Sequence, residues 1–303
     1  MRARVCLLLG AMVAACSHTE SPPSANSEAR TAAATGAPSS SVRRTSYLER
    51  LAHFHTRLVR TGPAPQAFDA AEHLPAGVRE IRYPSNGLEL KAWVGFPPGA
   101  REGAKVPGVV YFHGGFAFGA DDFEVARPFL QAGLAVMCPM LRGENGNPGA
   151  FELYLGEVRD AQAAVAWLAH QNNIDAKHLY TFGHSAGGVI SALLSLQEVP
   201  IRHGGSAGGL YGPELFDWMR PQVPFAQDDP EERQLRVLVG NIAWMKHPHF
   251  AFVGDGDPKQ AVQLAQAEQT PQSPLQIVTV HGNHLTSLPD AVSAYVKVIQ
   301  ERP

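Results

Sequence analysis

The sequence predicts an α/β fold in which a mainly parallel sheet is covered by helices on both faces. From residue 106 onward, short apolar runs that indicate strands alternate with longer segments of helical spacing. Repeated strand–helix–strand units of this kind form parallel sheets. Before them, residues 79–83 and 88–96 indicate two strands joined at Ser85-Asn86-Gly87, a turn signal. The sheet is therefore expected to open with a hairpin and to be mixed.

The other elements follow from hydrophobic spacing along the chain. A helix is predicted at residues 47–60, before the sheet. Further strands are predicted at residues 106–112, 134–139, 178–182, 200–206, 248–253 and 275–280. Further helices are predicted at residues 121–131, 151–170, 186–197, 258–268 and 286–300. Residues 198–247 are irregular, contain several prolines and are too long for a plain connection, so they indicate a small cap-like insertion.

Composition narrows the class of protein. The 303 residues are 45% hydrophobic and 17% charged, which is typical of a globular protein with a sizeable core. The net charge of -3 and the lack of a Lys/Arg block past Arg60 argue against a nucleic-acid partner. No histidine or cysteine spacing indicates a metal site, so no metal and no other cofactor is predicted.

The N-terminus has the anatomy of a signal peptide, with basic residues in 1–4 and a short apolar stretch in 5–15. Its end, Val13-Ala14-Ala15-Cys16, resembles the lipobox of bacterial lipoproteins, which implies cleavage before a lipidated Cys16. An ordinary secretory signal cut after Ala15 is the alternative. The resemblance implies an exported, lipid-anchored protein of the cell envelope, at the outer membrane if the source is Gram-negative. Residues 16–45 are then a disordered tether and residues 46–303 the folded domain.

The stretch Gly183-His-Ser-Ala-Gly187 fits the pattern G-x-S-x-G between a predicted strand and a predicted helix. In that setting the chain turns sharply, so that the hydroxyl of Ser185 stands clear of the sheet. Side chains at both glycine positions would collide with the neighbouring strand and helix. A purely structural Gly-rich turn is the alternative, but the placement favours Ser185 as a nucleophile.

A serine nucleophile needs a base, and the base needs a third group to hold its tautomer. In this architecture the acid and the histidine follow the serine, each after a later strand. Asp257 is the predicted acid, with Asp255 as the fallback, although Asp257 also fits the N-cap of the next helix. His284 is favoured over His281 as the base, because its longer loop reaches farther over the sheet edge.

Backbone amides must also stabilise the oxyanion that forms at the scissile carbonyl. The stretch Tyr111-Phe-His-Gly-Gly-Phe116 follows a predicted strand and is a His-Gly-Gly loop of the kind that supplies them. The amides of Gly115 and Phe116, together with that of Ala186, are the predicted donors. His113 is expected to orient this loop rather than to react.

These residues resemble the α/β-hydrolase superfamily over about residues 79–303. Within it, VPGVVYFHGG, LRGENGNPGAF, GEVRDAQAAVAWL, GHSAGG, GDGD and GNH resemble the catalytic domain of the prolyl-oligopeptidase type, the S9 serine peptidases. The resemblance implies an eight-stranded sheet with Ser185 as nucleophile, Asp257 as acid and His284 as base. Two departures stand out. The chain lacks room for the large N-terminal β-propeller of that family, and Phe116 and Phe118 stand where its oxyanion-binding tyrosine is expected.

The sequence therefore predicts a serine hydrolase that cleaves a carboxylic ester or a short-peptide amide through an acyl-enzyme on Ser185. Its expected partners are a small ester or short peptide and a membrane that holds the lipid anchor. An S9-type exopeptidase or oligopeptidase is the first alternative. A non-catalytic envelope lipoprotein that keeps the fold for binding is the second.

Overall fold

The computed structural model describes residues 45–70, 73–99, 103–257 and 273–302. The predicted signal peptide, Cys16, all but the last residue of the tether and the helix predicted at residues 258–268 lie outside the described residues.

An eight-stranded sheet forms the centre of the fold. Its strands are β1 (Val78–Ser85), β2 (Leu88–Gly95), β3 (Val106–Phe112), β4 (Ala135–Pro139), β5 (Ile174–His184), β6 (His203–Ala207), β7 (His249–Gly254) and β8 (Leu275–Val280). Their order across the sheet is β1-β2-β4-β3-β5-β6-β7-β8. The β1–β2 and β2–β4 pairs are antiparallel and the other pairs are parallel. The predicted mixed sheet with an opening hairpin is confirmed.

Helices cover both faces of this sheet. They are α1 (Tyr47–His53), α2 (Ala120–Gln131), α3 (Leu155–Ala169), α4 (Ala186–Leu194), α5 (Leu215–Trp218), α6 (Pro230–Gln234) and α7 (Leu288–Glu301), with a 3₁₀ turn at Ile242–Trp244. On one face, Phe123 and Phe129 of α2 and Tyr295 of α7 belong to one buried cluster. The helices α3 and α4 contribute to a second buried cluster on the other face. Because both faces are covered, the central strands β3 and β4 consist almost wholly of apolar residues.

The first helix is shorter than the predicted 47–60. A capping box between Ser46 and Glu49 starts α1, and the helix ends at His53 because Phe54 is extended. The chain then pairs with a distant segment: Leu58 forms a bridge with Phe225, and the amide of Val59 donates to the Pro224 carbonyl at 2.8 Å. Backbone hydrogen bonds to that segment replace those that a longer helix would have made.

The helix predicted at residues 151–170 begins four residues late, at Leu155. Leu153 and Tyr154 have φ angles of 55° and 82°, which are incompatible with a right-handed helix. The amide of Glu152 instead donates to the side chain of Glu157 at 2.7 Å. Tertiary contacts of this loop override the local helical spacing.

The insertion predicted at residues 198–247 is only partly an insertion, since β6 within it is a central strand. The segment between β6 and β7 holds α5, α6 and the 3₁₀ turn, and we refer to residues 208–248 as the cap. Phe216 and Phe225 of the cap are buried with the main core. Among the described residues, no helix has the length and apolar content required to span a membrane.

Candidate active site

The loops after β3, β5, β7 and β8 meet at one edge of the sheet, because parallel strands all end on the same side. These loops contain the predicted oxyanion donors, the nucleophile, the acid and the base. The fold therefore gathers residues that are far apart in the chain; Ser185 and His284, for example, are separated by 99 positions.

Ser185 occupies a strained turn between β5 and α4. Its φ and ψ angles are 52° and -114°, outside the regions that residues other than glycine normally adopt. A Cβ on Gly183 would overlap the carbonyl of Gly187, and a Cβ on Gly187 would overlap the carbonyl of Phe112. Both glycines are therefore required by backbone crowding. The amide of Ser185 donates to the Ala207 carbonyl at 2.9 Å, which holds the turn to β6.

His284 lies beside Ser185, the predicted nucleophile. Its Nε2 is 3.0 Å from Ser185 Oγ, so the hydroxyl donates a hydrogen bond to the ring. Its Nδ1 is 3.9 Å from Asp257 Oδ2, which is longer than a hydrogen bond but within ion-pair range. Burial lowers the pKa of His284 below its usual value. At neutral pH the ring is therefore neutral and able to accept a proton.

The alternative acid and histidine lie elsewhere. Asp255 Oδ2 is 3.1 Å from His281 Nδ1, and Asp255 also accepts from the amide of Gly282 at 2.9 Å. The His281 side chain is 88% exposed and that of Asp255 is 52% exposed. These two residues form a separate surface pair, and the structure brings His284 and Asp257, not them, to Ser185.

His184, next to Ser185, contacts the loop of the predicted base. Its Nε2 lies 2.9 Å from the carbonyl oxygen of His284, to which the ring must donate. Burial lowers the pKa of His184 to about 4, although that hydrogen bond opposes the shift. The ring is therefore neutral and positions the His284 loop.

Two of the three predicted oxyanion donors are unpaired among the described residues. Within the described part of the chain, the amides of Gly115 and Ala186 have no protein acceptor. The third differs from the prediction. The amide of Phe116 donates to Oε1 of Gln66 at 3.0 Å, so it is already satisfied. Gln66 precedes residues 79–303, over which the sequence resembles the α/β-hydrolase superfamily, and no sequence signal marked it.

His113 and Glu144 form a buried pair behind this loop, with Nε2 of His113 3.2 Å from the carboxylate. Nδ1 of His113 is 3.0 Å from the carbonyl oxygen of Gly114. Burial opposes protonation of His113, but the charge and hydrogen bond of Glu144 outweigh it and raise the pKa to about 9. A protonated ring donates to both partners, which fixes the peptide group that contains the Gly115 amide. Glu144 lies within the LRGENG stretch, but no pattern in the sequence marked it as the partner of His113.

A small pocket lies under the same loop. Its lining is mainly apolar and includes Phe116, Phe151 and Ile190. Glu157 also lines it, and burial raises the pKa of this carboxyl to about 8. Its Oε2 is buried without a hydrogen-bond partner. Glu157 is therefore protonated at neutral pH.

A second serine–histidine contact lies inside the protein. Ser195 Oγ is 3.0 Å from His249 Nδ1, and Ser206 Oγ is 2.7 Å from His249 Nε2. All three residues are fully buried, so a substrate cannot reach them. Burial lowers the pKa of His249 to about 3, and we assign the three residues a structural role. Separately, the described residues contain no group of side chains suited to hold a metal ion.

Residues 21–201 match the model of the X-Pro dipeptidyl-peptidase family, S15. The chain belongs to this family. The matched residues include β3, the His-Gly-Gly loop and the Ser185 turn at residues 183–187, which we call the elbow. The predicted α/β-hydrolase fold and the resemblance to peptidases of that superfamily are confirmed.

Individual proteins show the same likeness. "Uncharacterized protein Rv2307c" of Mycobacterium tuberculosis is 32% identical over 139 residues, 46% of this chain and 47% of the relative. The chain thus spans about half the length of the curated relatives it matches. A puromycin-hydrolyzing peptidase of Mycobacterium tuberculosis superposes with a TM-score of 0.63 and 21% identity, over 76% of this chain and 40% of that one. The carboxylesterase EstE1, cloned from a metagenomic library, superposes with a TM-score of 0.59 and 20% identity, over 77% of this chain and 91% of that one. These identities establish the fold alone.

Proposed function

We propose that this S15-family protein is a serine hydrolase that cleaves a carboxylic ester or a short-peptide amide through an acyl-enzyme on Ser185. The contact that supports this most directly is the 3.0 Å hydrogen bond from Ser185 Oγ to His284 Nε2. It occurs at a strained turn, and such strain is typical of functional positions. The neutral state of His284, caused by burial, suits a general base.

In the proposed mechanism, Ser185 Oγ attacks the substrate carbonyl while its proton passes to His284 Nε2. Asp257 faces the other ring nitrogen and stabilises the imidazolium that forms. His284 then gives the proton to the leaving alcohol or amine, and the acyl-enzyme remains on Ser185. Water attacks this ester with His284 again as the base, which releases the acid and restores the hydroxyl.

The negative oxygen of each tetrahedral intermediate needs hydrogen-bond donors that are already in place. Within the described ranges the amides of Gly115 and Ala186 have no other acceptor, so they can act as these donors. The Phe116 amide is excluded from this role as long as Gln66 accepts from it. The proposed oxyanion hole therefore has two backbone donors rather than three.

A fluorophosphonate probe tests the proposal, because it phosphonylates only a serine that an adjacent base activates. We expect labelling of the folded protein and its complete loss in Ser185→Ala, with a fall in turnover on the order of 10⁴-fold or more. Ser195→Ala is the matched control, since it removes the other serine that contacts a histidine. Labelling that survives Ser185→Ala, or no labelling of the folded wild type, would rule out the proposal. The second result would favour the non-catalytic binding protein.

A peptidase is the second candidate, and the S15 family model favours it. A panel of carboxylic esters compared with aminoacyl and prolyl amides separates the two functions. An ester hydrolase releases alcohols and leaves the amides intact. Cleavage of dipeptidyl amides from a free N-terminus, at rates comparable with the esters, would identify an exopeptidase.

We further propose that the mature protein is exported and held at a membrane by a lipid on Cys16. The lipobox-like Val13-Ala14-Ala15-Cys16 supports this. Metabolic labelling with a radioactive fatty acid is expected to mark the wild type and not Cys16→Ala. Unlabelled wild-type protein would instead support an ordinary secretory signal.

A further inference from the structure

The pocket under the His-Gly-Gly loop opens beside the proposed oxyanion donors. Gly115 and Ala186, whose amides are those donors, both line it. Of its described lining residues, only Gly115 and Phe116 are half-buried and the others are buried, so the pocket opens at this loop. Neither His284 nor Asp257 is among the described residues that line it. The pocket therefore adjoins the oxyanion hole and lies apart from the base.

This position places the pocket on the acyl side of the scissile bond. The carbonyl carbon of a tetrahedral intermediate carries Ser185 Oγ, the oxyanion, the leaving group and the acyl substituent. The leaving group must face His284 Nε2, which protonates it. A substrate group that enters the pocket past the oxyanion donors is therefore the acyl substituent.

The pocket is narrow. The space that it leaves for the centre of a water-sized group is about 10 Å³, which is close to the least that one water molecule needs. The rings of Phe116 and Phe151 meet edge to face in its lining, with their centroids 4.9 Å apart. Tyr154 and Ile190, which also line it, are buried. The pocket therefore takes only the end of a short acyl chain.

One polar group of the lining lacks a partner. Glu157 is 2% exposed, and its Oε2 has no hydrogen-bond partner among the described residues. Its Oε1 accepts from the Glu152 amide at 2.7 Å, so the proton that the carboxyl holds at neutral pH is on Oε2. The other charged side chains of the described lining, His113 and Glu144, bond to each other. A hydroxyl in the pocket satisfies the Glu157 donor, whereas a methyl leaves it unpaired.

We propose that this pocket binds the acyl group of the substrate, and that Glu157 makes it selective for short hydroxyacyl groups over alkanoyl groups of the same size. The substrate hydroxyl accepts a hydrogen bond from Glu157 Oε2, while the ester carbonyl lies at the amides of Gly115 and Ala186. The inference rests on the proposed function of Ser185 and names the substrate class of that site.

Two pairs of ethyl esters test this, because within each pair a methyl replaces the hydroxyl and the leaving alcohol is the same. They are ethyl lactate against ethyl isobutyrate, and ethyl 3-hydroxybutyrate against ethyl 3-methylbutyrate. Each kcat/KM is divided by the rate constant for alkaline hydrolysis of the same ester, which removes differences in intrinsic reactivity. We expect the wild type to favour the hydroxyacyl ester by about ten-fold in at least one pair, the size of one selective hydrogen bond. A wild type without this preference in either pair would overturn the inference.

Glu157→Gln and Glu157→Met separate the hydrogen bond from the shape of the pocket. The Gln side chain keeps an oxygen for the Glu152 amide and an N–H donor for the substrate, so this variant should retain the preference. Met has a similar length but no donor, and it should reduce the preference to less than about two-fold, because only the hydroxyacyl ester loses a partner. Full preference in Glu157→Met, or equal loss of the preference in both variants, would contradict the assigned role of Glu157.

Ile190→Val on α4 tests the acyl assignment independently of Glu157. The change removes one methylene from the pocket lining, so it should raise kcat/KM for ethyl 3-methylbutyrate relative to ethyl isobutyrate by about three-fold. An unchanged ratio would show that the acyl chain does not enter the pocket. Fluorophosphonate labelling distinguishes these results from failure of the proposed function, because it depends on Ser185 and His284 and not on Glu157 or Ile190.

Discussion

At the scale of single residues, the contribution of an ion pair to stability depends on whether its side chains are buried or in contact with water. His113 and His281 both face a carboxylate at about the same distance, 3.2 Å and 3.1 Å. The His113 side chain is 4% exposed and that of His281 is 88% exposed. Solvent screens the exposed pair, so only the buried pair is expected to contribute measurably to stability.

The buried pair predicts a specific pH dependence. The folded-state pKa of His113, about 9, lies above its ordinary 6.5, so its stabilisation is complete below pH 6.5 and is lost as pH rises through about 9. Glu144→Gln should remove this dependence and lower the free energy of unfolding by roughly 2 kcal/mol at pH 6. Asp255→Asn, in the exposed pair, should leave the free energy of unfolding and its pH profile as in the wild type, because solvent screens this pair. Urea unfolding between pH 6 and 10 measures both. Parallel pH profiles for Glu144→Gln and wild type would contradict the prediction.

At the scale of the element, α3 carries a buried acid in its first turn. Glu157 lies in the first turn, where a negative charge is normally favoured by the helix dipole. Burial outweighs the dipole, however, and raises the pKa of Glu157 from 4.5 to about 8. Between pH 4.5 and about 8, the folded state therefore binds more protons than the unfolded state. The free energy of unfolding should therefore fall as pH rises from 4.5 to about 8.

Glu157→Gln replaces the protonated carboxyl with a neutral group of the same shape. We expect the free energy of unfolding of Glu157→Gln, relative to that of the wild type, to be at least about 1 kcal/mol higher at pH 8 than at pH 5. Only the wild type loses stability as pH rises, because its unfolding releases the Glu157 proton. Chemical denaturation at the two pH values measures the difference. The exposed Glu301→Gln on α7 serves as the control and should show no such trend. A constant difference between Glu157→Gln and wild type would show that Glu157 is ionised in the folded protein.

At the scale of the whole molecule, one arginine joins segments that are far apart in the chain. Arg236 is fully buried and pairs with Glu232. It also donates to Thr56 Oγ1 at 2.8 Å and to the Glu152 carbonyl at 3.1 Å, and its guanidinium lies 4.1 Å from the Phe225 ring centroid. The N-terminal segment, the loop before α3 and the cap therefore share one buried charge network.

Arg236→Met should lower the free energy of unfolding by about 3–5 kcal/mol, because it leaves the carboxylate of Glu232 buried and unpaired. The double variant with Glu232→Gln should recover part of this loss, since the uncompensated charge is then gone. Urea unfolding of the single and double variants measures both effects. A double variant that is less stable than Arg236→Met would show that the hydrogen bonds of Glu232, rather than its charge, dominate.

Local patterns in the sequence were sufficient for the strands and for the position of the elbow. Both glycines around Ser185 are explained by collisions within a few residues or with the adjacent strand, which the pattern G-x-S-x-G reflects. The end of α1 was not predictable in this way. The residue after His53 leaves the helix because Leu58 and Val59 bond to Phe225 and Pro224, more than 160 positions away.

The sequence by itself determined the parallel sheet, the strand ends that bear Ser185, Asp257 and His284, and the order of these residues. Periodicity and turn chemistry are properties of short segments, so a sequence displays them directly. The sequence favoured His284 over His281 and Asp257 over Asp255, and the tertiary structure places the favoured pair, rather than the exposed one, next to Ser185. Only the tertiary structure brought Gln66 to the Phe116 amide. These outcomes depend on the path of loops across the sheet edge, which packing between distant segments decides.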